Sequence, residues 1–312
     1  MTLTEPVRPD IRAWPAPPPA ARRPAPRTRR SRLTLSAGTA AALASAIWLG
    51  NAAAVIGTAL LFALSWPLER LWRRHPVPVR RFGVRTDLAY AVLTPALQAV
   101  GFAAGYVVGV LSLAWLPALT LRPLVETIPA AARTLLGVVL FDLVIYWTHR
   151  LSHTVALFWR FHAIHHSSIH LDWVSGFRNH PLDGVFIAPA AALLVGAGFD
   201  GAFVGVLAVL QFVVGLWAHL NVRWRLRPLH RVILTPDFHH WHHANEPESH
   251  NKNFSVLLPA WDLLFGTYYM PAARRPMRYG VDMAVPDGLV GQLLAPVRGL
   301  RLRRRRRTSA TG

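Results

Sequence analysis

The sequence contains no cysteine among its 312 residues. This absence excludes disulfide bonds, cysteine-ligated iron–sulfur clusters, thiolate zinc sites and cysteine nucleophiles within these residues. Any metal ion that the chain binds must therefore be held mainly by nitrogen or oxygen ligands.

Acidic side chains are also scarce, with 15 Asp and Glu against 34 Lys and Arg, and Lys252 is the only lysine. The arginines are concentrated in the N-terminal tail, in residues 67–85 and in residues 301–307, each beside an apolar segment or a terminus. This distribution indicates that the arginines orient the chain in a membrane and attract anionic headgroups. We do not expect nucleic acid as a partner.

Long charge-poor segments make up much of the chain, at residues 34–66, 86–118, 131–148 and 183–218. About 20 apolar residues suffice to cross a bilayer, and soluble helices would alternate with polar faces. We therefore predict an all-α integral membrane protein, a transmembrane helical bundle with a cytosol-facing helical cap.

The first 130 residues divide into two predicted regions. Residues 1–33, rich in proline and arginine, are expected to be disordered, and residues 34–130 form an N-terminal transmembrane region. Basic charge on both sides of 34–66 implies either a shallow re-entrant hairpin or a tail on the opposite face of the membrane from residues 67–85.

The block at 183–218 is interrupted by the sequence GAGFDG at 196–201, which predicts a tight helical hairpin. The block begins just after His180 and ends just before His219. Because a hairpin returns the chain to the side it left, the polar regions on either side of it are expected to meet on one face of the membrane.

Fourteen of the 15 histidines lie between residues 149 and 250, and their spacing is helical. Separations of three and four residues place side chains on one helix face, one turn apart. Three clusters show these separations: His149 and His153; His162, His165 and His166; His239, His242 and His243.

Three such faces directed at a shared centre would supply eight imidazoles, which suit two metal ions rather than one. A single pair at this spacing arises readily by chance, whereas three clusters within a hundred residues indicate a polynuclear metal site. In the third cluster His240 also lies three residues before His243 and is an alternative to the favoured His239.

These motifs resemble those of the fatty acid hydroxylase/sterol desaturase superfamily of membrane di-iron oxygenases. The resemblance runs from about residue 141 to 269 through FDLVIYWTHRLSH, FHAIHHSS, LDWVSGFRNHPLD, HLNV, TPDFHHWHH and NKNFSVLLPAWDLLFGTYY. It implies that the three clusters are metal ligands, joined by His180 in RNHP and His219 in HLN. For these last two, the alternative is a hydrogen-bonding role beside the metal ligands.

The resemblance also implies the chemistry and the domain boundaries. We expect a fatty acid hydroxylase-like domain at 131–270, with a histidine-rich dimetal site, and a C-terminal tail at 271–312 that ends in the arginine run. Two iron ions and O2 would hydroxylate or desaturate a membrane lipid such as a sterol or a fatty acyl chain. Zinc fits the same ligands but has no redox chemistry.

The chain shows no nucleotide fingerprint and no haem motif, so an external ferredoxin or cytochrome with its reductase is expected to supply electrons. The expected location is a bacterial-type inner membrane, with the active site facing the cytoplasm. The competing hypothesis is a metal-binding or metal-transport membrane protein, which would place its ligands along the spans.

Three polar residues are candidates for hydrogen bonds to the ligand histidines, on the side of the ring away from the metal. Asp142 lies seven positions before His149, on the same helix face within an apolar segment, and could accept the free N–H of a ligand histidine. Asn221 and His240 are similar candidates.

Overall fold

The structure is a computed structural model that describes residues 52–78, 81–272 and 274–298. The predicted disordered tail, the first part of the 34–66 block and the arginine run at 301–307 lie outside the described residues. The described residues are helical and form no strand, with two isolated antiparallel bridges, Arg73–Val222 and Ala244–Tyr279.

The N-terminal half consists of two long helices followed by shorter ones. The helices are α1 (Ala52–Leu71), α2 (Val84–Leu111), α3 (Trp115–Ala118) and α4 (Arg122–Glu126). The predicted block at 86–118 is therefore one helix and a separate short one, because Leu113 adopts a positive φ of 54° between them. That left-handed backbone conformation ends the regular helix.

Residues 130–298 contain the remaining α-helices. They are α5 (Ala130–Thr154), α6 (Ala156–His166), α7 (Ala188–Gly196), α8 (Gly201–Ala218), α9 (Pro236–His242), α10 (Ala260–Leu264) and α11 (Leu289–Leu294). Helix α5 carries the first histidine cluster, α6 ends at the second, and the third begins on α9 and ends at His243, the residue after that helix.

Helices α7 and α8 form the predicted hairpin, and it packs on α5. Asp200 caps α8 by accepting the Phe203 N–H at 2.9 Å, which starts the second arm directly after the turn. The close approach requires glycine at position 137 of α5, where a Cβ atom would lie 2.6 Å from the Phe203 ring. Phe141, Ile145, Phe199 and Leu207 belong to the buried apolar core at this contact.

Helices α5 and α8 are long and apolar enough to cross a membrane by length and composition. Only 28% of the apolar window of α5 and 22% of that of α8 are buried inside the protein. These helices therefore present apolar side chains outward, unlike the core helices of a soluble protein.

A buried ion network connects α2 to the segment after α6. Asp87 pairs with Arg81 at 2.7 Å and with Arg178 at 2.5 Å, and Arg81 also makes a bidentate pair with Asp172. Because all four charges have partners, the network can be buried, and it fixes the chain position at Arg178. Arg178 lies beside the histidine site described next.

Candidate metal centre

Nine histidines converge where α5, α6, α9 and the end of α8 meet. The first group consists of His149, His153, His162, His166 and His242, and the second of His165, His219, His239 and His243. Within each group the ligand nitrogens all lie within 4.8 Å of one another. The two groups touch, since the rings of His166 and His243 stack with centroids 4.2 Å apart.

The helical spacing divides each cluster between the two groups. On α6, His162 and His166 join the first group while His165 joins the second. On α9 and the residue after it, His242 joins the first group while His239 and His243 join the second. This pattern predicts two adjacent ions, each bound by residues from several helices.

The outer nitrogen of most of these rings is held by a protein acceptor. In five rings the Nδ1–H group donates to a protein oxygen: His149 to Phe254 O (2.7 Å), His162 to Asp183 Oδ2 (2.8 Å), His165 to Arg178 O (3.1 Å), His219 to Gly215 O (2.7 Å) and His242 to Lys252 O (3.0 Å). Carbonyl and carboxylate oxygens only accept hydrogen bonds, so Nδ1 carries the proton in these rings. Each ring, when neutral, therefore presents an Nε2 lone pair to the centre.

The inward nitrogens are spaced as ligands of a shared ion would be. The Nε2–Nε2 separations are 3.2 Å for His162–His166, 3.0 Å for His239–His243 and 3.4 Å for His219–His239. Two nitrogens about 2.1 Å from one ion lie about 3.0 to 3.4 Å apart, for ligand angles from octahedral to tetrahedral.

Two inward nitrogens also lack any protein partner. His153 Nε2 and His242 Nε2 are buried and make no hydrogen bond with the described residues. A buried polar atom without a partner costs about 1–3 kcal/mol, which a coordinated metal would remove. The residues therefore fit a dimetal centre.

Six of the rings outside the apolar helices are held in the neutral form because their pKa values are lowered. Burial, reinforced by neighbouring histidines, lowers the pKa of His165, His166, His239, His242 and His243 well below the usual value. Burial lowers the pKa of His219 to about 4. Neutral imidazole is the form that binds metal.

His239, rather than His240, belongs to the centre. His240 points away from it, with Nε2 bonded to Leu220 O at 3.0 Å and Nδ1 to the Tyr279 hydroxyl at 2.7 Å. The i, i+3, i+4 spacing of the second cluster is thus repeated in the third.

His180 lies outside both groups. Its Nε2 donates to Leu293 O at 3.1 Å, and its Nδ1 accepts the Leu182 N–H at 3.1 Å. Both ring nitrogens are engaged, so the structure places His180 as a link between the segment after α6 and helix α11. His219, the other histidine proposed from the resemblance, does join the second group.

Asp142 and Asn221 support the backbone rather than a histidine. Asp142 accepts the N–H groups of Leu257 and Leu258 at 3.0 and 2.9 Å and the Trp261 indole N–H at 3.0 Å. Asn221 exchanges hydrogen bonds with the backbone of His75. Asp142 and His149 both lie on α5, but the carboxylate of Asp142 accepts from residues 257–261 while His149 donates to Phe254 O.

The partners that do hold the rings were mostly missed by sequence reasoning. Four of the five acceptors are backbone carbonyls, which no residue type reveals. Asp183 is the exception, because it is an acidic residue three positions after His180 in the RNHPLD motif. Asp262 holds the segment that contains one of these carbonyls: it accepts the N–H groups of Phe254 and Ser255, both at 2.8 Å.

Comparison with known proteins agrees with this centre. A family model described as fatty acid hydroxylase matches residues 134–267, which contain all nine histidines. The ornithine lipid hydroxylase of Rhizobium tropici is 31% identical over 243 residues, which cover 76% of this chain and 71% of that protein. The chain belongs to the fatty acid hydroxylase family. The resemblance read from the histidine motifs is thereby confirmed.

Other relatives match mainly across the histidine region. Alkylglycerol monooxygenase of Danio rerio is 29% identical over 131 residues, covering 41% of this chain and 28% of that protein. Methylsterol monooxygenase 1 of Gallus gallus is 30% identical over 136 residues, covering 39% of this chain and 41% of that protein. This chain therefore spans less than half the length of these two relatives. No solved structure matches the chain significantly.

Proposed function

We propose that this fatty acid hydroxylase family member is an integral membrane enzyme that holds two iron ions and uses O2 to hydroxylate a membrane lipid. The observation that carries the proposal is the pair of adjacent histidine groups, with inward nitrogens 3.0–3.4 Å apart. Relatives named as lipid hydroxylases and monooxygenases support the same reaction class.

Iron is proposed because the reaction requires a redox metal. Two bound iron ions together with O2 supply the oxidising chemistry that inserts oxygen into an unactivated C–H bond, which amino-acid side chains alone do not supply. The first group of five histidines would hold one ion and the second group of four the other. We favour hydroxylation over desaturation because the three relatives described above are named as hydroxylases or monooxygenases.

The chain's own residues orient the ligands and exclude water. The Asp183 carboxylate and four backbone carbonyls fix the ring orientation of the histidines they accept from, which preserves the inward Nε2 lone pairs. The rings of Trp159 and Phe254 lie 5.1 and 5.3 Å from the ring of His153, so apolar surface covers the first group. A buried site with fixed ligands suits oxidising chemistry, because water would allow side reactions and misplaced ligands would disturb the productive geometry.

The membrane location rests on the outward-facing apolar surfaces of α5 and α8. We propose that both helices span the bilayer, in a bacterial-type inner membrane, with the histidines at their cytoplasmic ends. His149 and His153 lie in the last two turns of α5, and His219 directly follows α8. A lipid substrate would then reach the centre from the bilayer.

Metal transport is the weaker alternative. A transporter would distribute ligands along its spans, whereas here the nine histidines gather at the ends of α5 and α8. Asp142, the acidic residue within α5, is committed to three N–H donors and is not part of such a path.

The substrate class proposed for the first test is an ornithine-containing lipid, since that relative is matched over most of both chains. The chain would be expressed in cells that make ornithine lipids, and lipid extracts compared by mass spectrometry with and without isotopically heavy O2. We expect a lipid that gains one oxygen atom derived from O2.

The double variant His165→Ala with His242→Ala removes one histidine from each group and should abolish the product. The matched control is His170→Ala, which removes a histidine outside both groups. Unchanged lipids in cells that contain the metal-loaded protein would contradict hydroxylation of this lipid class. Product formation by the double variant would contradict the role of the histidine centre.

A further inference from the structure

Five arginines gather on a surface beside the second histidine group. This surface, called here the arginine patch, consists of Arg73, Arg223, Arg225, Arg227 and Arg275. The Arg223 N–H donates to Trp72 O at 2.7 Å, and Arg275 Nη2 donates to Arg223 O at 2.7 Å. Three separate chain segments are thus held together as one basic surface.

None of the five patch arginines forms a salt bridge among the residues that the structure describes, although Asp237 lies near enough to Arg275 to raise its pKa in part. Arg225 and Arg227 both donate to the Ala272 carbonyl, at 3.2 and 3.0 Å, so two guanidinium groups meet at one oxygen. Burial and the nearby charges of Arg74 and Arg225 lower the pKa of Arg275. Like charges this close repel one another, and an anionic partner would relieve that repulsion.

Nearby carboxylates are already engaged by arginines outside the patch. Asp237 pairs with the buried Arg74, and Glu246 pairs with Arg274 at 3.1 Å. The positive charge of the patch therefore faces outward, available to a partner.

The patch is near the second histidine group in sequence, and hydrogen bonds connect the two regions. Arg223 follows His219 by four residues, and Arg74, whose Nε donates to Val222 O at 3.2 Å, pairs with Asp237 two residues before His239. A hydrogen-bonded path also runs from His240 to the Tyr279 hydroxyl at 2.7 Å and on to His75 at 3.2 Å. These contacts join the patch to the chain segments that carry His219 and His239 of the second group.

We propose that the arginine patch docks an acidic one-electron carrier protein that delivers electrons to the metal centre. This inference rests on the proposed function. Hydroxylation of a C–H bond by O2 gives an alcohol and water and consumes two electrons and two protons beyond those of the substrate. The carrier supplies the electrons one at a time in two deliveries, and solvent supplies the protons.

An anionic membrane surface is the competing partner for five arginines. The patch lies beyond the spans, since α8 ends at Ala218 and residues 223–227 follow it. The segment that contains Arg275 continues to residues that pair with the chain directly after His243: the Asn245 N–H donates to Arg278 O at 2.8 Å, and Ala244 forms a bridge with Tyr279. We favour a protein partner because the proposed reaction needs an electron donor, and binding to lipid headgroups is an outcome that the test below distinguishes.

The direct test is binding. The full chain would be placed in phosphatidylcholine nanodiscs, and its affinity for an oxidised, acidic [2Fe–2S] ferredoxin measured at low and high salt. We expect the charge reversal Arg225→Glu with Arg275→Glu to weaken binding about tenfold or more, and salt to weaken native binding in the same direction. A second pair, Arg73→Glu with Arg223→Glu, guards against misfolding of the first.

The matched control reverses two exposed arginines outside the patch, Arg85→Glu with Arg298→Glu. Equal affinity of the patch and control variants for ferredoxin, or no measurable binding by the native chain, would overturn the proposal. So would a patch variant that loses only its preference for nanodiscs containing anionic lipid, because the surface would then contact headgroups.

Turnover separates this proposal from the proposed function. Lipid hydroxylation would be compared with ferredoxin and with dithionite as the reductant, and we expect the ratio of the two rates to fall in the patch variants. No hydroxylation with either reductant would contradict the proposed function itself. Native hydroxylation with dithionite, combined with an unchanged ratio in the patch variants, would contradict only the docking surface.

Discussion

The Asp183 carboxylate accepts the Nδ1–H of His162, a member of the first histidine group that lies 21 residues earlier in the chain, at 2.8 Å. The remaining acceptors described above for the ligand rings are backbone carbonyls, which substitution cannot remove. Asp183 is therefore the position where the support of the metal cage is open to mutation.

Replacing Asp183 with asparagine should weaken metal binding. The neutral amide keeps the size of the side chain but loses the charge that orients His162 and raises its basicity as a ligand, an effect of about 10- to 100-fold in metal affinity. The measurement is metal retained during titration with a chelator. Asp282→Asn, which alters an exposed residue paired with Arg278, is the control. Equal retention by both variants would argue against a supporting role for Asp183.

Adjacent histidines on α9 should respond differently to alanine. His239→Ala removes a member of the second group and should lower the metal content of the purified protein. His240→Ala removes the buried link to Leu220 O and Tyr279, so thermal stability should fall while the metal content per folded chain stays close to native. Metal analysis combined with thermal unfolding distinguishes them, and the reverse pattern would show that the third cluster is misassigned.

Asp142→Asn should destabilise the protein without removing a metal ligand. Its carboxylate accepts three N–H donors from residues 257, 258 and 261, and an amide nitrogen in its place would face a donor instead of accepting from it. Losing one such charged hydrogen bond costs about 1–3 kcal/mol. Thermal unfolding in detergent would be compared with that of Asp287→Asn, an exposed control. Identical midpoints for the two variants would count against this account of Asp142.

Glu69 should make stability depend on pH. Burial, with a contribution from Asp172, raises its pKa from 4.5 to about 8, while its Oε1 accepts the N–H groups of Trp173 and Asn221. Between these two values the folded chain binds a proton that the unfolded chain releases, so this group lowers stability as pH rises through that window.

Glu69→Gln keeps the acceptor oxygen and removes the titration. Its stability relative to the native chain should therefore increase as pH rises from 4.5 to about 8. Unfolding midpoints measured across this range give the difference directly, with the exposed Glu126→Gln as the control. A stability difference that is constant with pH, or that shrinks, would contradict the raised pKa.

The sequence predicts which histidines lie together better than it predicts which groups hold them in place. Helical spacing is a local property, so His149 with His153 and His162 with His166 could be placed on shared faces from their separation alone. The roles of His180 and Asp142 depend on which distant segment packs beside them, namely residues near Leu293 and Leu257. Such long-range packing leaves no periodic pattern in the chain.

The hairpin shows the same division between local pattern and distant packing. The turn at 196–201 was predicted from its glycines and Asp200, and helices α7 and α8 flank it. The requirement for Gly137, which admits the Phe203 ring, depends on how the hairpin packs against α5 and could not be predicted.

The measurement that tests the central claim most directly is the metal content of the full chain purified from iron-replete cells. The account predicts about two iron ions per chain, one for each histidine group, and a lower content when His165 and His242 are replaced together by alanine. Zinc alone, or a metal content unaffected by the double substitution, would contradict it.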